Sequence, residues 1–416
     1  MPFTTTLIIG AGQAGLAMSH HLSQLSIDHV LLERGDVANS WRTERWDSLR
    51  LLTPNWQSRL PGHTYNGNDP DGFSDMTQTI DMLSNYAQSI TAPIKTRTVV
   101  QSVTQTDTGY KVVTNRGIWT CHSLVLATGA CNIANVPAIA DALPSSVRSI
   151  TPMDYKNTDQ LDDGAVLVVG ASATGVQLAK EIQNSGREVY LSTGEHIRVP
   201  RTYRGKDIQW WMDQAGVMDM DLKEVDDIRR ARNVPSLQLI GSKNNDMIDL
   251  NALQEAGITV VGRMMGLQDN MVQISGAMAN VCALADLKMN RLIREIDQWS
   301  TKNGLDGSVD APHTFEPTQV PETPLLGIDL KERNIKTVLW ATGYRPDYSW
   351  LNVPVLDRKG ALIHEGGVVA APGLYAMGLP FMRKRKSSLM DGVGDDARDL
   401  SAHIFNFLAG KVASAA

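Results

Sequence analysis

The chain has 416 residues, enough for two or three domains with separate cores. With 42 % hydrophobic and 20 % charged residues it has an ordinary globular make-up, and a net charge of −6 argues against nucleic acid or an anionic membrane as partner. No run of about eighteen apolar residues occurs, and MPFTTTLIIGAG passes straight into a strand and turn, so neither a membrane span nor an export leader is expected and the expected location is the cytoplasm.

In chain order, TTLIIGAGQAGLAMSHHLSQLSIDHVLLERGD reads as strand, glycine turn, helix and strand. NSWRTERWDSLRLLTPNWQSRLPG, rich in Trp and Arg and broken by Pro54 and Pro61, reads as a long structured loop. From Thr96 to Gly129 the period falls to two, with turns at Asp107–Gly109 and Asn115–Gly117, which predicts a β-meander. LPSSVRSITPMDYKNTDQLDDG is a polar connection, and VLVVGASATGVQLAKEIQNSGREVYLS repeats the strand-turn-helix-strand unit. Helix-like LKEVDDIRRAR and ALADLKMNRLIREIDQW follow, then the Pro-bearing HTFEPTQVPETPLLG, TVLWATGYRPD, GLYAMGLPF and a helix-like GVGDDARDLSAHIFNFLAG.

This order predicts an α/β protein with two Rossmann-like dinucleotide-binding domains, the second inserted into the first. The expected division is 1–150 and 325–416 for the first domain, which carries the meander, and 151–324 for the second, with a helical insertion on the substrate side.

In a βαβ unit the first glycine permits the tight turn, the second lets backbone approach a pyrophosphate, and the third lets helix pack on strand. Gly10, Gly12 and Gly15 meet these needs, and Glu33 closes the second strand where a carboxylate hydrogen-bonds a ribose diol. The second unit has Gly170, Ser172, Ala173, Thr174 and Gly175; serine keeps the turn and adds a hydroxyl for a phosphate oxygen. Its second strand ends in Ser192 and Thr193 rather than an acid, with Arg198, Arg201, Arg204 and Lys206 downstream. That pattern favours a ribose 2′-phosphate, hence NADPH over NADH, with Glu195 as the one nearby residue that opposes it.

Cys121, Cys131 and Cys282 show no C-x-x-C or metal-ligand spacing, so no metal site and no redox dithiol is expected. His20, His21 and His403 read as helix-surface or packing residues, and Trp210 with Trp211 as interdomain packing.

LATG at 126–129 and ATGY at 341–344, beside the two turns, resemble the two-dinucleotide-binding flavoproteins. NSWRTERWDSLRLLTPNW, TVLWATGYRPD, GASATGVQLAKEI and GEHIRVPRTYRGKDI are similar to segments of class B flavin-containing monooxygenases of bacterial type, with the weakest likeness between about 215 and 330. The resemblance implies FAD on Gly10, Gly12, Gly15 and Glu33, with Arg34, Trp41, Arg42, Val100, Thr128, Gly129 and Gly378 around it. Gly392 and Val393 would lie at a helix amino terminus facing the flavin, which suits the negative charge of a reduced flavin. NADPH would lie on the second turn with Arg198, Arg201 and Thr342.

The implied activity is NADPH-dependent oxygenation of a small organic substrate by O2 through a 4a-(hydro)peroxyflavin, as N- or S-oxygenation. A flavin or electron-transfer reductase, and Baeyer–Villiger oxygenation of a ketone, are the alternatives, and a redox sensor without substrate is a further class. A homodimer is compatible with the resemblance.

Where the family has a diagnostic histidine this chain has Thr151, with Ser145 and Val147 for the Phe and Gly, and Tyr155 fits the last position. Leu52 stands where the family carries an asparagine by the flavin, which leaves Thr53, Asn55 or the bound nicotinamide as the candidate donor. The MRKRKSS stretch offers Arg383 or Lys384 for an anionic substrate or a nucleotide phosphate.

Overall fold

In the computed structural model, which describes residues 1–415, a mixed ten-stranded sheet and an all-parallel five-stranded sheet meet the expectation of two nucleotide-binding units. The first begins with β1 (Phe3–Ile9), followed by α1 (Gln13–Gln24) and β2 (His29–Leu32). The Trp/Arg-rich loop contains the short helix α2 (Asn39–Thr43). Helix α3 (Met76–Ser89), which the sequence reading does not anticipate, opens with a capping box in which the Asp75 carboxylate accepts from the Gln78 N–H at 2.9 Å and Gln78 Oε1 accepts from the Asp75 N–H. Then come β3 (Ile94–Lys95) and the meander β4 (Val100–Thr106), β5 (Gly109–Thr114) and β6 (Gly117–Leu126).

β1 lies between β2 and β6, all parallel, with Ile9 level with both Leu32 and Leu126. Strand Leu374–Ala376 pairs with the far end of β6, Ala376 opposite Leu126. Four strand ends are therefore flush, and the loops beginning at Gly10, Glu33, Ala127 and Met377 leave from one edge. Both faces of this sheet are covered, which is why β1 reads as one apolar run: the consecutive residues Leu7, Ile8 and Ile9 are all buried, in a core shared with α1 and the final helix, Met390–Ala415, which pack against each other.

After β6 the chain runs through β7 (Ile133–Ala134) and β8 (Arg148–Ile150) into the second sheet. There β9 (Ala165–Val169), α4 (Ala173–Asn184) and β10 (Val189–Ser192) form the second unit, in the all-parallel order Thr259–Val261, β10, β9, Ile335–Trp340, β8. Val169 is level with Ser192 and with Trp340, and Ser192 with Val261, so the loops at Gly170, Thr193, Gly262 and Ala341 again share an edge. The domain division needs correction: β8 and strand Ile335–Trp340, assigned above to the first domain, are hydrogen-bonded members of the second sheet, and Gly327–Asp329, assigned with them, pairs with strand Met271–Ile274.

The two crossings between domains are stitched together. β7 pairs antiparallel with Tyr344–Arg345, and the Asn135 N–H donates to the Gly343 carbonyl at 2.9 Å.

The charged region beyond β10 is helical but broken. LKEVDDIRRAR forms a single turn at Leu222–Glu224 and the short helix Ile228–Arg232, whereas Met278–Lys302 is one continuous helix. Trp211, fully buried with Tyr203, Met289 and Ile293, packs in a cluster that also takes Leu52 and Leu389 from the first domain, in line with the interdomain packing expected of the tryptophan pair.

Candidate functional site

The first turn is held by backbone. The Gly10 N–H donates to the Leu32 carbonyl at 2.8 Å. Glu33, 6 % exposed, accepts from the Ala11 N–H at 2.8 Å and the Gly35 N–H at 3.1 Å, so its carboxylate stands over the turn. α1 starts with Gly12 at its N-cap and no side chain bonding its first N–H groups. No atom lies within 4 Å of where a Gly12 Cβ would be, which leaves an open cradle at the positive end of the helix. A cavity of about 480 Å³ opens there, lined by Gly10, Gly12, Glu33, Arg34, Trp41, Val100, Thr128, Gly129 and Gly378 among the residues expected to hold a flavin nucleotide. Gly15 lies beneath the turn against the Gly10 carbonyl. The backbone cradle, the carboxylate and the long cavity fit an adenine dinucleotide.

Three expected flavin contacts lie elsewhere. Arg42 donates to the Val37 carbonyl at 2.9 Å and the Ser84 hydroxyl at 3.1 Å, which fastens the loop to α3. Gly392 packs under the Lys386 carbonyl and Val393 is fully buried in the core; both N–H groups already donate to the Leu389 carbonyl. In their place the cavity has Asn39, Ser40, Arg45, Cys131 and Trp350, none of which the sequence places at the nucleotide because loop proximity is invisible in spacing.

The second turn copies the first. The Gly170 N–H donates to the Ser192 carbonyl at 2.9 Å, and Ser172 is the N-cap of α4 with its hydroxyl not used as a cap. Ala173 and Thr174 form the first helical residues, half-buried, and Gly175 sits under the turn against the Gly170 carbonyl. The bond from Gly170 makes Ser192 the counterpart of Leu32, and therefore Thr193 the counterpart of Glu33. The Thr193 hydroxyl is buried and has no partner among the described residues. Gln238, also missed in the sequence, donates to the Ala171 carbonyl at 2.7 Å while its Oε1 is unpartnered.

The expected phosphate arginines are corrected. Arg198, 3 % exposed, donates to Asp249 and, at 2.7 Å, to Asp286. Arg201 is paired with Asp207 and donates to the carbonyls of Leu52 at 2.9 Å and Ile240 at 3.2 Å. Arg204 is held by Asp297 and Asp306. These guanidiniums are consumed by partners within the protein, because a buried cation without a counter-charge is too costly to keep. Thr342 is likewise committed: its hydroxyl donates to the Asn135 carbonyl in the strap between domains.

Beside the first turn, the Arg45 guanidinium lies over the Trp41 ring at 5.6 Å. Of the candidate catalytic donors, Asn55 is spent: its amide donates to the Asp69 carbonyl at 2.9 Å and accepts from the Ser74 hydroxyl at 2.6 Å. Thr53 is half-buried beside the apolar Leu52. Thr151 bonds Asp154 in a local turn, and Tyr155, buried, donates to Glu181 on α4 at 2.7 Å, so this stretch anchors the linker.

The 382–388 loop is also internally bound. Arg383 donates to the Gly366 carbonyl at 2.8 Å and pairs with Asp399, and Lys384 pairs with Asp219 at 3.0 Å and Asp395 at 3.4 Å, which leaves neither as a ready anion site.

All three cysteines are free. Burial pushes the Cys121 thiol up to about 12 and the Cys282 thiol up to about 11, and it also raises Cys131. Such thiols stay protonated and unreactive at neutral pH. Among the described residues no group of His, Cys, Asp and Glu could hold a metal, and no helix is long and apolar enough to cross a membrane.

Residues 7–215 match the family described as pyridine nucleotide-disulphide oxidoreductase. The chain is 32 % identical to a Geobacillus kaustophilus protein named "Uncharacterized oxidoreductase CzcO-like", over 96 % of this chain and 98 % of that one. It is 27 % identical to the probable indole-3-pyruvate monooxygenase YUCCA3 of Arabidopsis thaliana, over 48 % of each. In structure it is similar to a flavin-containing monooxygenase from Stenotrophomonas maltophilia, with TM-score 0.68 and 16 % identity over 98 % of this chain and all of that one. It is also similar to OTEMO, solved in complex with FAD and NADP, with TM-score 0.57 and 14 % identity over 99 % of this chain and 87 % of that one. The chain belongs to the pyridine nucleotide-disulphide oxidoreductase family, as an oxidoreductase with the fold of the flavin-containing monooxygenases.

Proposed function

We propose that this protein is an FAD-dependent, NADPH-consuming monooxygenase that delivers one oxygen atom of O2 to a soft nitrogen or sulfur centre of a small organic substrate. The observation that carries the reading is the pair of matched glycine turns at the flush edges of two joined sheets, in a chain whose thiols are single and protonated. Two dinucleotides can be held, and the dithiol that a disulfide reductase would need is absent among the described residues.

Gly10, Gly12 and the start of α1 would hold the FAD pyrophosphate, and Glu33 would accept from a ribose hydroxyl. Ser172, Ala173 and Thr174 would present hydroxyls and N–H groups to the nicotinamide nucleotide. Bound FAD would supply the redox chemistry between nicotinamide and dioxygen. The chain would orient both nucleotides and keep water out, with Trp41, Val100 and Trp350 as the large apolar side chains of the first cavity.

One observation favours a second reading, an NAD(P)H-dependent reductase that passes electrons onward. Leu52 has no polar group and the Asn55 amide is spent on the loop, so a side-chain hydrogen bond beside the flavin falls to Thr53 alone of the expected donors.

Purified protein carrying FAD, supplied with NADPH and 18O2 and a panel of amines, sulfides and ketones, separates the readings. One labelled oxygen per NADPH in an N-oxide or sulfoxide supports the monooxygenase. A labelled ester from a ketone would point to Baeyer–Villiger oxygenation. NADPH oxidation that yields only hydrogen peroxide with every substrate would overturn the oxygenase reading in favour of the reductase.

A further inference from the structure

With Arg198, Arg201 and Arg204 tied to internal carboxylates, a basic group for a ribose 2′-phosphate has to come from somewhere else at the carboxyl edge of the second sheet. We infer that Arg263, on the loop after strand Thr259–Val261, is the residue by which the second site distinguishes NADPH from NADH. Thr193 fills there the place that Glu33 fills in the first site. The inference rests on the reading of that site as the nicotinamide-nucleotide site.

Thr193 comes first. The Gly10 N–H bonds the residue before Glu33, and the Gly170 N–H bonds the residue before Thr193, so the two side chains leave equivalent points beside equivalent turns. A carboxylate at that point suits a 2′-hydroxyl and repels a 2′-phosphate. A threonine hydroxyl carries no charge, and this one is 1 % exposed and unpartnered.

Arg263 is brought to the same point by backbone. The Thr193 N–H donates to the Val261 carbonyl at 2.9 Å. The Ser192 hydroxyl donates to the Gly262 carbonyl at 3.1 Å and accepts from the Met264 N–H at 2.9 Å, which pins residues 262–264 against the end of β10. Gly194 has no side chain to occupy the space, and Arg263 Cδ lies 3.7 Å from where its Cβ would be. The Arg263 side chain therefore crosses the backbone just past Thr193. It is exposed, and no hydrogen bond or ion pair engages its guanidinium among the described residues. A free planar guanidinium beside a neutral ribose position is the chemistry that reads a phosphate monoester.

The carboxylate that opposes this, Glu195, is drawn aside. Lys288 on the long helix pairs with it at 3.1 Å, so its charge is offset before a phosphate approaches.

The test is calorimetric titration of the FAD-loaded enzyme with NADP⁺, NAD⁺ and adenosine 2′,5′-bisphosphate. Wild type is expected to bind the two 2′-phosphorylated ligands more tightly than NAD⁺. Arg263→Ala should weaken both by about tenfold, with NAD⁺ affinity unchanged, as loss of a charge-assisted contact to phosphate requires. Arg263→Lys should retain part of the preference. Equal weakening of NADP⁺ and NAD⁺, or no change for NADP⁺, would overturn the role of Arg263 while the nucleotide site stood. A wild-type enzyme that holds FAD and binds neither nucleotide would overturn the site itself. The melting temperature of Arg263→Ala should match wild type, because the side chain is exposed and bonds nothing in the fold.

Discussion

Gly10 and Gly170 hold the same position in two different sheets. Their φ angles are +106° and +108°, and a Cβ on either would lie 2.4 Å from a carbonyl oxygen, that of Ala127 or that of Ala341. Each glycine is required twice over, by its left-handed backbone and by the ATG loop that crosses it. Alanine at either place must move a strand end, and the two substitutions should separate the two nucleotides. Gly10→Ala is expected to purify with little or no flavin. Gly170→Ala should keep its flavin and lose NADP⁺ affinity by about tenfold or more, because a displaced turn no longer aims its N–H groups. Flavin absorbance per mole of protein and nucleotide titration give the two readouts.

Glu33 bonds the turn as well as facing the cavity, through the Ala11 N–H at 2.8 Å. Glu33→Ala should fold and bind FAD about tenfold or more weakly, since a charge-assisted bond is lost and a backbone donor is left open. Reconstitution of flavin-stripped protein measures it. Retention of full FAD affinity by the variant would count against Glu33 as a ribose ligand.

Arg198 should matter to stability and not to nucleotide choice. Its removal leaves Asp249, 3 % exposed, and Asp286 without their cation, a loss of about 3–5 kcal/mol for a broken buried pair. Arg198→Ala is expected to melt several degrees below wild type. In the folded fraction, the ratio of NADP⁺ to NAD⁺ affinity should be unaltered.

Lys288→Ala should act through Glu195. The pair is exposed, so stability should hardly change. The released carboxylate should weaken NADP⁺ a fewfold and NAD⁺ less, with the difference shrinking at high salt. Titration at two ionic strengths tests it.

Asp396 is buried on the final helix, and desolvation raises its carboxyl to about 6, opposed by a hydrogen bond from Ser387 and the charge of Arg383. Because the folded value lies above the unfolded one, near 3.9, the native state holds this proton more tightly. Its contribution to stability is therefore present at acid pH and is lost as pH rises from about 4 to about 6. Asp396→Asn removes that loss, so the variant should gain on wild type across this window and lead by on the order of 2–3 kcal/mol above it. Melting curves of both proteins from acid to neutral pH give the comparison; parallel curves would refute it.

What was legible in the sequence was whatever depends on near neighbours. Gly10, Gly12, Gly15 and Glu33 sit within one βαβ unit, where turn, helix start and strand end follow from spacing alone. The second turn was readable for the same reason. The fate of Arg198 and Arg204 is not legible, because their partners Asp249, Asp286, Asp297 and Asp306 lie far along the chain and arrive only with the helical region, and Arg201 is spent in part on the remote carbonyls of Leu52 and Ile240. Thr193 could be seen as a missing acid, but its equivalence to Glu33 needed the bond from Gly170 to Ser192. Arg263 carries no local signal, since its approach to Gly194 depends on strand order. β8 hid in a polar stretch, as an edge strand of three residues shows too little periodicity to be read.

The strap between the domains has an architectural consequence. β7 and Tyr344–Arg345 run side by side, so the chain leaves the flavin-type domain and re-enters it through neighbouring strands about 5 Å apart. The whole stretch between them therefore has both its ends at one place, so the host chain is interrupted only once. What fixes the inserted body against the host is then side-chain packing, through Leu52 and Leu389 on the Trp211 cluster and the bond from Arg201 to the Leu52 carbonyl, rather than the connections themselves.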